Sequence, residues 1–399
     1  MDGEALKRRV IHEIDALSAE LREVSLEIYS NPEIGYQERA ASRLLCDRLE
    51  QAGFSVERGT AGLETAFVAH QPGRTRGPRI ALLAEYDALP GLGHACGHNL
   101  IATAALGAAL GLNRVMDSID GSLMVVGSPA EEMVGGKIAL VEGGVFEGTS
   151  AAMMVHPRGD TQLGRLFTAT TIMNMTFHGK SSHAAAAPDK GINALDACIA
   201  TFNGTNALKK HLRDDVRLHG VILEGGKAAN IVPEMARCAF SVRARDRAYL
   251  ESLVPRVRAC AEAGAMMAGA RVEIDTLPIC DEMNFNQALS DAFGRNAESL
   301  GQTVLPIDTT VGGGSTDMGN VSQVVPAIQP FVKIGDSALT PHTREVLEAA
   351  GTEEAHDYIL QGAKALAMTA IDVWTDRELL HRAQEEFERT RRGRGDGGR

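Results

Sequence analysis

Two metal-seeking side chains stand two residues apart in the segment Glu85-Tyr86-Asp87-Ala88-Leu89-Pro90-Gly91-Leu92-Gly93-His94-Ala95-Cys96-Gly97-His98-Asn99. A thiolate from Cys96 and an imidazole from His98 suit zinc or a similar divalent ion. A lone C-x-H pair is more often a buried cysteine in a glycine turn. Further along, Ser128-Pro129-Ala130-Glu131-Glu132 puts two carboxylates side by side after the apolar run SLMVVG. Buried together, like charges raise each other's pKa. A metal relieves that cost if one carboxylate ligates and the other takes a proton from a water. The plainer alternative is a solvated acidic pair capping a helix. His156 follows another apolar run, Met153-Met154-Val155, and His342 sits in Thr340-Pro341-His342-Thr343. Each alone is weak; four such sets, on strand exits or in Pro/Gly loops, together indicate a metal centre.

The elements that must position these groups are legible as patterns. Val10, Ile14, Leu17, Leu21 and Val24 have helical spacing, predicting one helix over about 4–30 that Asn31-Pro32 ends. A second helix is expected over 37–52. Strands are expected at Thr65–Ala69, Arg79–Ala84, Ser122–Gly127 and Ala151–Val155, with a small-residue helix over 99–113. Strands alternating with helices predict an α/β domain with a mixed, mostly parallel sheet, whose ligands collect at strand ends. From Thr170 the order becomes strand (Thr171–His178), helix (191–211), strand (Arg217–Glu224), strand (Ala236–Ala244), helix (246–268), strand (Arg271–Leu277). That is the β-α-β-β-α-β order of a ferredoxin-like α+β unit. The expected organisation is a catalytic domain of 1–169 and 285–399, with 170–284 inserted. The later part should carry a helix, the loop Val311-Gly312-Gly313-Gly314-Ser315, a strand near 326–334 and a long C-terminal helix. The charged, Gly-rich tail 389–399 predicts no packed structure.

Bulk properties exclude several classes. The 399 residues favour two domains, and the formal charge of −12, with no basic stripe, argues against nucleic acid and anionic membranes. Cys46, Cys96, Cys198, Cys238, Cys260 and Cys280 are scattered without a CxxC pair, the pattern of reduced thiols. The N-terminal stretch is charged and periodic, unlike a signal peptide, and no run of about 18 apolar residues occurs. A cytoplasmic protein is expected.

The motifs resemble those of the co-catalytic metallopeptidases that include aminoacylases, glutamate carboxypeptidases, auxin-conjugate amidohydrolases and p-aminobenzoyl-glutamate hydrolases. The resemblance runs from NPEIGYQE (31–38) to ALAMTAIDV (365–373), through GSPAEE, GKSSHAAAAP, NALDA, GGSTDMGNVS and the late PHT. EYDALPGLGHACGHN is similar to the branch holding p-aminobenzoyl-glutamate hydrolases and β-alanyl-lysine dipeptidase-like proteins. Carried over, the resemblance implies two divalent metal ions per chain, zinc first and manganese or cobalt as replacements. Cys96 would bridge them, with His98, Glu132, His156 and His342 completing the ligands and Glu131 the general base. His183 would reach a neighbouring subunit's site and steady the oxyanion, which implies a homodimer built on the inserted domain. Asn230 and Arg243 would hold the substrate backbone and carboxylate.

The implied activity is hydrolysis of an amide C–N bond in a dipeptide, N-acyl amino acid or aminobenzoyl-glutamate type of substrate. Two alternatives share the ligand set: hydrolytic deamination of an aryl amine or amidine, and a metal-binding paralogue without catalysis. Glu85 and Asn99 stand where the broader amidohydrolase group has Asp, which would alter a metal ligand's surroundings. Chemistry alone assigns no role to Ser315, Thr316 or Asp317.

Overall fold

A computed structural model describes residues 2–133, 135–310 and 314–396. Val311, Gly312 and Gly313 of the expected Gly-rich loop therefore lie outside the described residues, as do 397–399. The chain divides into two units, one within Met1–Leu166, Met283–Val311 and Thr316–Arg399, the other within Phe167–Glu282 and Gly312–Ser315.

The strands are β1 (Ser55–Arg58), β2 (Phe67–Pro72), β3 (Thr75–Glu85), β4 (Asp120–Ser128), β5 (Ala151–Met153), β6 (His156–Arg158), β7 (Ala169–His178), β8 (Arg217–Glu224), β9 (Met235–Ala244), β10 (Arg271–Thr276), β11 (Ala327–Ile328) and β12 (Phe331–Lys333). In the first unit they form a sheet of order β1-β2-β4-β3-β5-β11. β4, β3, β5 and β11 run parallel, and β1 and β2 are antiparallel additions at one edge. The fold class is thus mixed α/β, as the pattern of elements suggests. β3 and β4 are buried almost continuously from Ile80 and Leu123 onward, as strands covered on both faces must be.

The helix His98–Asn113 is buried on every side, from His98 through Leu112. An all-apolar helix belongs inside a protein, and its small residues admit close neighbours. A Cβ on Gly107 would meet Leu21 at 2.9 Å, and one on Gly111 would meet Ile14 at 2.6 Å. This helix packs on β3 and on the helix Glu353–Thr375. His98, its first residue, is therefore anchored in the centre of the unit.

Three expectations change. The N-terminal periodicity belongs to two helices, Gly3–Ala16 and Ser18–Ser30, because Leu17 closes the first with bonds to Glu13 and Ile14 carbonyls. Helical spacing persists through such a tight turn while the axis changes. The single strand near 326–334 is two, β11 and β12, interrupted at Gln329-Pro330, where proline offers no N–H. β11 pairs with β5 in the main sheet and β12 pairs with β6 outside it. The C-terminal helix Arg377–Asp396 continues into the tail, where composition predicts no structure.

In the second unit β7, β8, β9 and β10 form an antiparallel sheet of order β10-β7-β9-β8, with helices Ala194–Lys209 and Arg247–Ala268. Residues of β7 alternate buried and half-buried, the signature of a sheet covered on one face. Met173, Met175, Phe177, Cys238, Phe240 and the helix residues Leu250, Leu253 and Val257 form its core.

Gly97, at the start of the buried helix, has φ +75 and would place a Cβ 2.5 Å from Pro157. Gly97→Ala is expected to cost about 1–2 kcal/mol from the left-handed backbone alone, plus whatever the Pro157 clash adds. A lowered melting temperature together with weakened metal retention is the expected result; an unchanged melting temperature would contradict it.

Candidate metal centre

The candidate ligands leave the parallel strands at one end. β3 ends at Glu85 and its loop carries Cys96 and His98; β4 ends at Ser128 and its turn carries Glu131 and Glu132. His156 begins β6, just after β5. Its backbone N–H donates to Pro330 O at 2.9 Å, so the interruption between β11 and β12 helps fix it. His342 comes from the loop before the helix Arg344–Ala350, with φ +66 and its N–H donated to Ala95 O at 3.0 Å. A left-handed non-glycine backbone is costly, and its occurrence at a candidate ligand fits a functional site.

Three groups of candidate ligand atoms lie within 4.8 Å of one another: Cys96, His98 and His156; Cys96, Glu132 and His342; His98, Glu131 and Glu132. Cys96 Sγ is 3.5 Å from His156 Nε2, and His98 Nε2 is 3.8 Å from Glu132 Oε1 and 3.9 Å from Glu131 Oε2. His98 Nδ1 donates to Asp87 Oδ1 at 2.9 Å and His156 Nδ1 to Pro157 O at 2.9 Å. Both histidines therefore turn Nε2 toward the cluster, the arrangement in which a ligand imidazole is oriented by its other nitrogen. His98 Nε2 and Glu132 Oε1 are buried without a hydrogen bond. Glu132 Oε1 lies 3.2 Å from His342 Nε2, but without hydrogen-bond geometry. Unpartnered buried donors and acceptors of this kind are rare and costly. With a thiol, imidazoles and a carboxylate among them, the set fits a divalent metal.

Electrostatics separate the two glutamates. Burial, with Glu85, Glu132 and Asp317 nearby, holds the Glu131 carboxyl well above the usual range. Burial also disfavours charge on Glu132, but His342 and His98 outweigh it and hold that carboxyl below the usual range. Burial pushes the Cys96 thiol up, so a cation is needed to hold it as the ligating thiolate. For His98, burial is outweighed by Asp87 and Cys96, which favour its protonated form.

Two important groups were not singled out by sequence reasoning. Asp87 orients His98 and also accepts the Glu132 N–H at 3.0 Å, linking the two loops. An acid shortly before a ligand histidine is the available signal. Lys137, fully buried, lies 2.5 Å from Glu85 Oε1 and 2.6 Å from Asp317 Oδ1. Nothing local in Gly-Gly-Lys announces that role. Glu85 and Asp317 are thus partners of one lysine, and Glu85 Oε2 lies 3.5 Å from His98 Nε2. Asn99 donates to Ser25 Oγ and Ala350 O, both at 3.1 Å, so it fastens helices together. Thr316 donates to Gln329 at 3.0 Å.

His183, Asn230 and Arg243 belong to the second unit. His183 is exposed, and its Nδ1 accepts from the Ala185 and Ala186 N–H groups at 3.2 and 3.1 Å, which leaves Nε2 as the donor. Asn230 is beside it: its carbonyl accepts the Ala184 N–H at 3.0 Å. Arg243, on β9, donates to Ser315 Oγ at 3.0 Å, and Ser315 in turn donates to Thr168 O at 2.7 Å.

Known proteins resemble this chain over most of its length. The model of peptidase family M20/M25/M40 matches residues 81–371. Xaa-Arg dipeptidase of Mus musculus is 40% identical over 96% of this chain and 92% of the relative. A p-aminobenzoyl-glutamate hydrolase polypeptide from Escherichia coli (strain K12) is 30% identical over 94% of both. Among solved structures, a dinuclear metal-binding peptidase of Bacillus subtilis superposes with a TM-score of 0.64 at 21% identity, covering 90% of this chain and 99% of that one. The chain belongs to this peptidase family and is a metal-dependent hydrolase of amide bonds in small substrates.

Proposed function

We propose that the chain is a dinuclear dipeptidase in which Cys96 is shared by two divalent ions. The observation that carries this reading is that Cys96 belongs to two ligand groups with no other member in common: His98 with His156, and Glu132 with His342. A thiolate shared by two such groups would suit a pair of ions. The thiol and imidazoles favour zinc, with manganese or cobalt as replacements. The Bacillus subtilis peptidase, described as dinuclear, has the same fold.

When bound, the ions would supply Lewis acidity to the scissile carbonyl and to the attacking water. Glu131 takes that water's proton and returns it to the leaving nitrogen. Glu132 Oε1, 3.2 Å from His342 Nε2 and grouped with Cys96, is the better placed ligand, and Glu131 stands beside it 3.9 Å from His98 Nε2, which supports this division into base and ligand. Asp87 holds the His98 tautomer, and Lys137 offsets the charge of Glu85 and Asp317 beside the ligands. Asn230 and Arg243 would hold the substrate backbone and carboxylate. Among dipeptides, N-acyl amino acids and aminobenzoyl-glutamate, dipeptides ending in arginine come first, because the 40% identical relative is named for them.

His183 would serve the site of a second copy, its Nε2–H donating to the developing oxyanion. β9 supports this. Its ladder with β7 ends at Met235–His178, beyond which an isolated bridge pairs Ile231 with His183, while Arg243 lies near the other end of the strand. Met235 to Arg243 alone spans roughly 26 Å at about 3.3 Å per residue, too far for one small substrate to bridge. Hence Arg243 from one copy, and His183 with its neighbour Asn230 from another, would meet at each site. The edge strand β8 exposes Val221 (54%), Ile222 (42%) and Leu223 (57%), an apolar row suited to pairing two copies. Six free cysteines suit the cytoplasm; among the described residues no helix is long and apolar enough to cross a membrane.

Purified protein should contain two metal ions per chain by elemental analysis, and chelation and re-addition should abolish and restore hydrolysis of Xaa-Arg dipeptides. Protein that never binds metal would overturn the site assignment. Glu131→Gln should keep both ions and lose about 10²–10⁴-fold in kcat; a variant with a tenth of wild-type turnover would remove Glu131 as the base. His183→Ala should be similarly impaired. Mixing His183→Ala with Glu131→Gln chains should recover activity through hybrid dimers, and no recovery after exchange of chains would count against a shared site.

A further inference from the structure

The motif NPEIGYQE has no place in the chemistry above, yet it touches both ligand-bearing loops. Ala88 N–H donates to Glu33 O at 2.8 Å, and Ile34 pairs with Ala88 as an isolated bridge, which joins the segment to the Cys96 loop. The other end reaches the Glu131 turn. Glu38 is 0% exposed, and its Oε1 accepts the Ala130 N–H at 2.8 Å. Its Oε2 accepts from the Thr65 hydroxyl at 3.0 Å. The segment is itself anchored, since the Glu33 carboxylate accepts the Ala40 and Ala41 N–H groups at 2.9 to 3.0 Å, at the start of the helix Arg39–Gln51.

The backbones meet in an unusual way. Tyr36 has φ +64 and Ala130 has φ +57, two of the four non-glycine residues in left-handed conformation among those described. Between them lies Gly35, where an added Cβ would stand 2.9 Å from Ala130 Cβ, 3.0 Å from Ala130 Cα and 2.8 Å from the Met133 sulfur. Strained backbone persists only where surrounding contacts over-determine it. Here Glu38 supplies one such contact, at the residue immediately before Glu131. A buried carboxylate held by two neutral donors is an expensive way to fill space, because burial disfavours its charge. A role in fixing the turn accounts for that cost.

We propose that Glu38 is a positioning residue for the reaction: by accepting the Ala130 N–H it fixes the left-handed turn that aims Glu131 into the metal centre. The proposal rests on the reading of Glu131 as the general base. Metal-loaded Glu38→Ala, Glu38→Gln and Glu38→Asp are compared with wild type and Glu131→Gln for kcat, KM and metal content. Glu38→Ala should lower kcat by about 10- to 100-fold, the scale of a misplaced catalytic group, with KM and metal content unchanged. Glu38→Gln retains an acceptor of the same reach and should recover most of that loss. Should Glu38→Ala fail to fold, Glu38→Asp, one methylene shorter, should show the same selective fall in kcat. Unchanged kcat in the folded variant overturns the proposal, and so does loss of kcat in proportion to lost metal, which marks a purely structural role. An active Glu131→Gln would instead defeat the assignment of the base. An inactive Glu131→Gln beside a fully active Glu38→Ala would defeat only the positioning role.

Discussion

Negative charge held away from water is the constraint that organises this molecule. Glu85, Asp87, Glu131, Glu132 and Asp317 crowd the strand ends with the Cys96 thiol, and Lys137 is the cation the chain sets deepest among them. Lys137 engages two of those carboxylates and His98 a third. His342 and His98 offset Glu132, which leaves Glu131 and the Cys96 thiol to be neutralised by protons or by metal. Burial and neighbouring acids hold Glu131 and Cys96 far above their ordinary values, so their charged forms need a cation close by. Two divalent ions would meet that need and free the acids for chemistry. The site and its demand for cations are therefore one property.

The scaffold keeps this crowding from relaxing. β3 and β4 are buried along most of their length, and the helix that begins with His98 is enclosed on all sides. Side chains at such strand and helix ends cannot swing away without opening the core. Loops carry the ligands, but they are short or cross-braced: Asp87 joins the first loop to the second, Ala95 holds His342, and Pro330 holds His156.

Much of the candidate site was legible because its chemistry is local. Cys96, His98, the Glu131–Glu132 pair and His156 each stand just beyond an apolar strand, so residue type and position together mark them. Asp87 lies only 11 residues before His98, and residue type alone did not single it out. Lys137 escaped because its meaning lies in partners far along the chain, Asp317 being 180 residues away. Glu38 escaped likewise, with Ala130 92 residues away. The ferredoxin-like order was readable since β7, β9 and β10 keep their alternation, while β8 is marked by its apolar Val221–Leu223 run. Periodicity could not reveal the turn at Leu17, which preserves helical spacing, nor the division of β11 from β12, where an apolar run continues across Pro330. Composition misjudged the tail because a charged segment can still extend a helix already anchored by Leu379 and Ala383.

The ligands are gathered from widely separated stretches, Cys96 and His342 lying at opposite sides of the inserted unit in the sequence. On a ribosome, the cluster stays incomplete until most of the polypeptide has emerged. The groups formed by Cys96, His98 and His156 and by His98, Glu131 and Glu132 are present in the chain by residue 156, whereas the group of Cys96, Glu132 and His342 is completed late. Until His342 arrives, the nascent chain carries the buried acids of the strand ends without that imidazole beside Glu132. A nonsense mutation between codons 316 and 342 would leave all residues of the second unit attached to a first unit that lacks His342.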